Sequence, residues 1–494
     1  MRVVPVAASV GLTLALAGCA TSGGLHPDGT PISPDSLATT RTLANVKLSP
    51  AAWPEADWWT SLGDGQLNVL IAEALHDNPS LAEADARARQ AQSEASEADA
   101  DRKPEVNTGA GIYEVRVPTT LPPIGKGHNR TAKNVYARFT WDLDLWGGKR
   151  AAWEAALGQQ RAEEVDAQAA RIELSANVAR AYVQLGYAYA RQDVASAELG
   201  RATDVLKLTQ KRLSAGIDSQ VQLKQSDAEV AGAQERKAQA DRAIDAARSA
   251  LSVLLGKGPD RGLAIARPQL MSPDALRVPA DLPVELLGHR ADLVAARWRV
   301  EAAGKEIAAA KTEFLPNVNI SAMAGLVMLG GGNLFTAESR FYQVGPAISL
   351  PIFDGGRRRA NLNGKDALYD LAVAHYNSTL VRAVNEVCDF NDALTSLQVQ
   401  IDAQKRATSA ADDAWTLAEK RYKAGVGSYL EALIVRQQLL IDQERMAALH
   451  AQQIDYSVQI IQALGGGFRP GQTVPDPSKV AADANSPALI HHRS

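Results

Sequence analysis

The segment Asp144-Leu145-Trp146-Gly147-Gly148-Lys149-Arg150 recurs later in the chain as Pro351-Ile352-Phe353-Asp354-Gly355-Gly356-Arg357-Arg358. In both copies, a stretch of alternating apolar and polar residues leads up to a pair of glycines. An unbroken helical pattern of about 65 residues then follows, over Gly148 to Ser214 and Gly356 to Lys423. We therefore expect the chain to change from strand to helix twice.

Two further motifs are duplicated in the same order. Pro104-Glu105-Val106-Asn107 recurs as Pro316-Asn317-Val318-Asn319, and Lys211-Arg212-Leu213-Ser214-Ala215-Gly216-Ile217 recurs as Lys420-Arg421-Tyr422-Lys423-Ala424-Gly425-Val426. Offsets of 212, 208 and 209 residues separate Pro104 from Pro316, Gly147 from Gly355 and Gly216 from Gly425. Three motifs in one order at nearly constant spacing indicate an internal two-fold repeat.

Each repeat contains shorter helical patterns on both sides of the long one. The leading helix, Leu67 to Lys103 or Val284 to Leu315, is rich in alanine and stops at a proline, as helices do. At 1.5 Å per residue, the long pattern is a rod of roughly 100 Å. The chain then turns at Gly216 or Gly425 and returns in another helix. Rods of this length indicate coiled-coil packing.

The segments before the long helices alternate between apolar and polar residues. The apolar positions are Val135, Ala137, Phe139, Trp141, Leu143 and Leu145 in one segment, Tyr342, Val344, Ile348, Leu350 and Ile352 in the other, and Val318, Ile320, Ala322, Ala324, Leu326 and Met328 upstream. The stretch from Val106 to Val117 changes phase midway. A membrane-spanning β-strand and a soluble sheet with one buried face both give this alternation. Four strands cannot close a barrel in lipid, so membrane strands would require several copies of the chain.

The N-terminus predicts export and lipid attachment. Arg2 supplies one positive charge, and the apolar run from Val3 to Ala17 is too short to span a bilayer. The run leads into Leu16-Ala17-Gly18-Cys19, which resembles a bacterial lipobox. We therefore expect a signal peptide over residues 1–18 and a covalent lipid on Cys19. Ala20 stands where aspartate would suggest the inner membrane, which favours the outer membrane.

Composition and motifs argue against several other functions. The 52 basic and 56 acidic residues are scattered and form no basic patch for nucleic acid. With Cys19 lipidated, Cys388 has no disulfide partner, and we expect it to be a buried thiol. The sequence has no H-x-x-x-H, H-E-x-x-H or G-x-S-x-G motif. We expect no catalytic residue, no metal site and no cofactor besides the lipid.

These features resemble the TolC-like outer-membrane efflux proteins, in particular the NodT-type lipoproteins of resistance-nodulation-division (RND) pumps. The most specific match is the segment Leu350-Pro351-Ile352-Phe353-Asp354-Gly355-Gly356-Arg357. The match also includes the lipobox, Trp58-Trp59, Leu62-Gly63-Asp64, Leu67-Asn68, Leu282-Pro283, Leu286-Leu287, His289-Arg290 and Asp292.

The resemblance implies a mixed α and β membrane protein that assembles as a homotrimer. Each chain would give four strands to a shared 12-stranded outer-membrane β-barrel, which continues into a long periplasmic α-helical coiled-coil barrel. Its partners would be other copies of itself in the homotrimer, a periplasmic adaptor protein, an inner-membrane RND transporter and outer-membrane lipid. The implied function is the exit duct of a tripartite efflux pump that passes small molecules to the outside.

This interpretation divides the chain into the following predicted segments. They are a signal peptide (1–18), a lipid-anchored linker (19–61), a first repeat (62–257, with hairpin 105–146, long helix 148–214 and return helix 219–256), a connector (258–281), a second repeat (282–466, with hairpin 317–353, long helix 356–423 and return helix 428–464) and a flexible tail (467–494).

The two helical turns hold the candidate docking residues. The resemblance implies that these turns meet the hairpins of the adaptor; the candidates are Ala215, Gly216, Ile217, Ala424, Gly425 and Val426. Basic residues precede each turn, where the negative end of the helix dipole favours them. Gly216 and Gly425 are predicted to be the left-handed residues that end the helices. Helix capping alone would also explain these residues.

The residues just after the second turn are the gate candidates. Ser219 with Gln222, and Ser428 with Glu431, have the form of a capping box. Because Gln222 caps as well as Glu431, the negative charge of Glu431 is not needed for capping. The resemblance implies that acidic or leucine rings close the tunnel at this level, on Leu430 and Glu431. We also expect one apolar stripe, formed by Leu430, Leu433, Ile434 and Leu440.

Two other classes of function remain open at this point. A periplasmic lipoprotein adaptor or scaffold would also carry a coiled-coil hairpin, but it needs only one and has no strands facing lipid. A lipid-anchored hydrolase would need a catalytic constellation. The histidines on the predicted helices stand alone, at His76, His289, His375 and His450.

Overall fold

The computed structural model describes residues 24–37, 53–116, 118, 129–269 and 288–469. Its α-helices are α1 (Gly65–Asp77), α2 (Pro79–Ala100), α3 (Gly148–Ser214), α4 (Gln220–Leu254), α5 (Asp260–Leu263), α6 (Ala291–Thr312), α7 (Arg357–Lys423) and α8 (Tyr429–Ala463). Its strands are β1 (Glu105–Arg116), β2 (Asn129–Leu143), β3 (Asn317–Leu329) and β4 (Arg340–Ser349). The predicted signal peptide (1–18), Cys19 and residues 470–494 of the predicted tail lie outside the described residues. The predicted flexible tail starts too early, because Phe468 is buried.

One predicted helix is divided in two. The chain breaks at Asn78, between α1 and α2, so a continuous helix over Leu67 to Lys103 was a wrong prediction. Pro79 has no backbone N–H and is tolerated only in the first turn of a helix. The Asn78 side chain accepts a hydrogen bond from the Ser80 amide at 2.9 Å and donates one to the Leu254 carbonyl at 2.6 Å. Asn78 therefore caps the start of α2 and the end of α4 together.

The chain forms two compact units, and each takes segments from both repeats. The described parts of the first unit fall within Met1–Pro31, Arg87–Glu164 and Ala295–Asn377. Those of the second unit fall within Ile32–Ala86, Val165–Val294 and Ser378–Ser494. The repeats are therefore units of sequence that interleave in space, and neither repeat is a separate domain.

The first unit contains one antiparallel sheet in the order β1-β2-β3-β4. Directly opposite residues share a face, and one such row is Val106, Phe139, Ala322 and Val344. The apolar positions predicted in β2, β3 and β4 therefore lie on one face, which confirms the alternation. In β1, the apolar positions keep step from Val106 to Ile112 before the phase changes.

The apolar face of the sheet is uncovered within the chain. Val344 and Ile348 are 69% and 73% exposed, and Val106 is 65% exposed. A soluble sheet with one buried face would cover such residues with another layer. Among the described residues no element does so, which favours a sheet that faces lipid. No helix in these same ranges is long and apolar enough to cross a membrane.

The second unit has a helical core, and in each repeat a polar side chain binds the last carbonyl of the return helix. The core contains Trp58, Leu67, Tyr182, Leu251 and Val458, from several different helices. As Asn78 does for α4, Arg290 donates a hydrogen bond to the last carbonyl of α8, that of Ala463, at 3.1 Å. Arg290 also pairs with Asp292 at 2.7 Å and with Glu386 at 2.9 Å.

Cys388 lies on α7 and is buried, as predicted. Burial raises the pKa of its thiol, and the nearby carboxylates of Asp392 and Asp389 raise it further. Among the described residues, no group of three or more His, Cys, Asp or Glu side chains is placed to hold a metal ion.

Candidate functional site: the helical turns and the sheet wall

The two helical turns share one backbone geometry. Gly216 has φ 74° and Gly425 has φ 80°, so both are left-handed, as predicted. In the first turn, the Ile217 amide donates to the Arg212 carbonyl at 2.9 Å; in the second, the Val426 amide donates to the Arg421 carbonyl at 3.1 Å. These bonds, with those of the glycine amides, form a Schellman motif that satisfies the last carbonyls of each long helix.

Each turn presents one apolar side chain to solvent. Ile217 is 63% exposed and Val426 is 72% exposed. Both follow the left-handed glycine directly, and Ala215 and Ala424 precede it. The structure brings both turns into the second unit, together with the start of α4 and of α8. The role of these residues in docking stays a prediction.

A polar cluster ties the first turn to the end of α7. Asp218 accepts hydrogen bonds from the Tyr422 hydroxyl at 3.0 Å and from Arg212 Nε at 3.0 Å. The Arg212 guanidinium also lies 4.7 Å from the centre of the Tyr422 ring. Burial raises the pKa of Tyr422, and the Asp218 carboxylate raises it further. The hydroxyl therefore keeps its proton and stays a donor to Asp218.

Further along the helices, a buried ion network joins α3, α4 and α8. Arg436 of α8 contacts Glu198 of α3 at 2.6 Å and Glu229 of α4 at 3.2 Å. The side chains of Arg436 and Glu198 are only 4% and 2% exposed. Burial raises the pKa of Glu198, and the arginines, led by Arg436, oppose this shift. A buried ion network of this kind is costly to break, because it would leave one charge without a partner.

This network was not predicted from the sequence. The signal that could have revealed it is helical spacing: Tyr429, Ala432, Arg436 and Leu439 recur at the period of one helix face and are all buried. Isolated arginines are mostly exposed, so residue type alone does not predict that Arg436 is buried on that face.

The two serine caps differ in their partners. Ser219 accepts from the Gln222 amide at 3.4 Å, and the Gln222 side chain accepts from the Ser219 amide at 2.6 Å. Ser428 accepts from the Glu431 amide at 3.0 Å, but α8 has no reciprocal bond of this kind. The first repeat therefore has a full capping box and the second has half of one. Glu431 is exposed, and its carboxylate is not used for capping.

The predicted apolar stripe of α8 is wrong in one part. Leu430 and Ile434 are each 61% exposed, whereas Leu440 is buried at 7%. Leu440 belongs to the face that packs inside the unit, together with Leu439. Leu430 and Ile434 are four residues apart and share the exposed face with Glu431, since side chains at this spacing are neighbours on a helix.

In the first unit, the polar face of the sheet lies opposite the apolar one. Tyr136 and Arg138 alternate with Val135, Ala137 and Phe139 along β2. The Arg138 guanidinium lies 5.8 Å from the centre of the Tyr136 ring. Directly opposite Tyr136 is Gly109, where an added Cβ would come within 2.7 Å of the ring. The sheet thus has one face suited to lipid and one suited to water.

This combination of an amphipathic sheet and two turned helical rods is matched by one family of proteins. The family described as outer membrane efflux protein matches residues 70–257 and 282–466. The chain belongs to this family. Among its relatives are the fusaric acid resistance protein FusA of Burkholderia cepacia and the multidrug resistance outer membrane protein MdtP of Escherichia coli K12. FusA is 34% identical over 73% of this chain and 69% of its own length. MdtP is 29% identical over 94% of this chain and 96% of its own length.

A solved structure gives the same result. The crystal structure of the outer membrane protein VceC from Vibrio cholerae is 35% identical, with a TM-score of 0.79, over 84% of this chain and 100% of that chain. The efflux protein is therefore an outer-membrane channel that serves as an exit duct. The predictions of its family, location and function are confirmed.

Proposed function

We propose that three copies of this efflux protein form one channel. Each copy contributes its four strands to a 12-stranded barrel and its long helices to a periplasmic tunnel. A lipid on Cys19 attaches the chain to the outer membrane, and no step of transport requires a catalytic residue or a metal. The turns around Gly216 and Gly425 dock to a periplasmic adaptor, which connects the tunnel to an inner-membrane RND transporter.

The observation that carries this proposal is the open, four-stranded sheet. Strand β2 pairs with β3 and so joins the two hairpins into one sheet, whose edges are β1 and β4. Edge strands with unpaired backbone groups are not stable in lipid. Pairing β1 of one copy with β4 of the next removes every edge once the ring closes.

The size of the ring supports three copies. Two copies would give eight strands, and an eight-stranded barrel has an interior only wide enough for side chains. Three copies leave a water-filled lumen, which the polar face around Arg138 suits. Within such a trimer, Glu431 and Leu430 from three α8 helices would face one another near the tunnel mouth. Converging carboxylates attract cations, so this level is the proposed gate.

Cysteine cross-linking between the sheet edges tests the proposal. In a Cys388→Ala background, Thr108→Cys in β1 is combined in turn with Tyr342→Cys, Val344→Cys or Pro346→Cys in β4. All four positions lie on the apolar face. For the combination in register, oxidation is expected to give a ladder on denaturing gels that ends at three times the mass of one chain.

A matched pair inside one chain is the control. Ala137→Cys and Ala324→Cys are directly opposite on β2 and β3 and should cross-link without any change in mass. A ladder that ends at two chains, or that continues beyond three, contradicts the trimer. If the control pair reacts and none of the edge pairs does, the shared barrel is wrong.

A further inference from the structure

Three adjacent rows on the polar face of the sheet carry a single charged side chain. The rows contain Asn134, Tyr136 and Arg138 of β2, together with the residues directly opposite them on β1 and β3. The other members of these rows, including those of β4, are asparagine, glutamine, glycine, methionine, valine and phenylalanine. Among the described residues of the three rows, Arg138 therefore supplies the one charge.

These rows lie at the level of the apolar band. On the reverse face of β2, the alternating residues are Val135, Ala137 and Phe139. Under the proposed function, Arg138 then lies in the lumen at the level of the membrane, and three copies place three guanidinium groups in one ring. Rings of arginine or lysine side chains are a means by which pores favour anions.

The Arg138 guanidinium has no strong acceptor. Its Nη2 lies 4.0 Å from the sulfur of Met323, which is a weak acceptor. The carboxylate of the next row, that of Glu105, accepts a hydrogen bond from the Asn107 side-chain amide at 2.8 Å. In the part of the chain that the structure describes, the contacts of the guanidinium are those with Met323 and Tyr136, and neither is an ion pair. Its donors are therefore available to an anion.

The ring of Tyr136 lies against the wall of the sheet. Gly109 faces it on β1, and Gly325 faces it on β3. An added Cβ at Gly109 would come within 2.7 Å of the Tyr136 Cζ and hydroxyl, so the ring fills the space of a side chain at that position. Aromatic rings that cover glycines at the edge of a sheet help to fix its register. Because Tyr136 is only half-buried, the other face of its ring is open on the polar side.

We propose that Tyr136 and Arg138 form a binding site for planar organic anions, such as aromatic carboxylates and sulfonates, on the wall of the lumen. The guanidinium carbon lies 5.8 Å from the centre of the ring, so one ligand can contact both groups. Its ring packs on Tyr136, and its anionic group accepts hydrogen bonds from Arg138. This inference rests on the proposed function, which places both residues in the lumen of a channel.

The site is open, which suits a passage. Arg138 is exposed, and Tyr136 is not enclosed by a second wall within the chain. A bound anion thus keeps much of its contact with water and leaves again easily. Conduction requires binding that is favourable enough for entry and weak enough for release. The three sites of a trimer would raise the local concentration of planar anions at this level.

Single-channel recording in a planar bilayer tests the inference. The purified full-length protein must first show a trimer mass and a conductance; a sample without conductance contradicts the proposed function itself. Methoxypyrene trisulfonate, a planar aromatic trianion, is then added to both sides, and citrate is the trianion without a ring. The wild-type current should be blocked by the aromatic anion at a concentration several-fold lower than by citrate. Equal block by the two anions would overturn the role of Tyr136.

Three variants locate the site. Arg138→Gln is expected to raise the block constants of both anions on the order of tenfold. Tyr136→Leu should weaken block by the aromatic anion and leave block by citrate unchanged. Arg340→Gln removes the same charge from a β4 position opposite Leu326, in a row of the apolar face, and should change neither constant. Unchanged block in Arg138→Gln, or an equal loss in Arg340→Gln, would overturn the assignment.

A fourth variant tests the position of the ring. Gly109→Ala adds a methyl group where the Tyr136 ring lies, so the ring must swing away from the wall into the lumen. The single-channel conductance should fall, and block by the aromatic anion should weaken. Gly109→Ala combined with Tyr136→Leu should restore the conductance. If Gly109→Ala alone changes neither property, the ring does not lie on the wall and the site is wrong.

Discussion

The turn after α3 and the turn after α7 have the same backbone geometry but use their polar side chains differently. In the first turn, Gln222 completes the capping box with Ser219. In the second, Ser428 caps alone, and the Glu431 carboxylate remains exposed. The same contrast recurs elsewhere: the end of α4 is closed by the neutral Asn78 and the end of α8 by the charged Arg290.

The strand-to-helix segments repeat this contrast. Lys149 and Arg150 both form ion pairs inside the chain, whereas of the three arginines that begin α7 only Arg358 forms one with a described residue, Asp354. The first repeat completes its capping box with a neutral side chain, whereas at the matching cap of the second repeat a carboxylate stays exposed. A duplicated chain can keep one copy of each element for structure while the other copy takes on charge-dependent contacts.

The largest effect is expected at Arg436. Arg436→Leu leaves Glu198 and Glu229 without their main partner, which should destabilise the protein by about 3–5 kcal/mol. The equivalent position in α4, 209 residues earlier, is the exposed Asp227, where Asp227→Leu should change stability by no more than about 0.5 kcal/mol. Thermal unfolding followed by circular dichroism measures both variants.

A second substitution checks the cause of this loss. In the double variant Arg436→Leu with Glu198→Leu, much of the lost stability should return, because the most buried charge is gone. If the double variant is as unstable as the sum of the two single changes, the ion pair does not explain the effect.

The next effect concerns docking. Ile217→Arg or Val426→Arg should abolish efflux while trimers remain intact, because a bulky charge replaces the exposed apolar side chain of the turn. Drug susceptibility of cells and trimer content of their membranes are measured together. Val426→Thr keeps the shape of the side chain and serves as the control. Normal resistance in both arginine variants would remove the docking role of the turns.

A smaller effect is expected at Asp292 in the second repeat, where the contribution to stability depends on pH. Burial opposes ionisation of Asp292, but the hydrogen bonds and charge of Arg290 outweigh burial and lower its pKa below the ordinary value of 3.8. A lowered pKa in the folded state adds stability above pH 3.8, and this stability is lost as pH falls through the folded pKa. Wild type should therefore melt above Asp292→Asn at pH 7, and the difference should shrink below pH of about 4. A constant difference would contradict this linkage.

The smallest expected effect is that of Glu431→Gln. The Ser428 cap needs only the amide of residue 431, so fold and stability should be unchanged. In the proposed trimer, the variant removes three converging carboxylates, which should weaken cation selectivity and block by divalent ions in single-channel recordings. The reciprocal variant Gln222→Glu tests the other repeat and should alter neither property to the same degree. Unchanged selectivity in Glu431→Gln would leave this residue without a role in the gate.

The repeats and the faces of the strands were predictable because both produce regular patterns in the sequence. The side chains that share a sheet face with Phe139 are predicted by the alternation of apolar and polar residues. The turn at Gly425 is predicted because its sequence repeats that of the turn at Gly216. The pairing of β2 with β3 was not predictable, because alternation fixes a face and not a partner. The break at Asn78 and the burial of Arg436 depend on contacts with Leu254 and Glu198, which are distant in the chain.

The central claim is that the sheet separates lipid from a water-filled lumen, and thiol accessibility tests it most directly. Single cysteines replace Asn134, Val135, Tyr136, Ala137, Arg138 and Phe139 in turn in a Cys388→Ala background, and the channels are recorded in a planar bilayer. A water-soluble, membrane-impermeant methanethiosulfonate reagent should reduce conductance at 134, 136 and 138 and have no effect at 135, 137 and 139. Equal reaction at all six positions, or reaction at the apolar positions alone, would contradict the account.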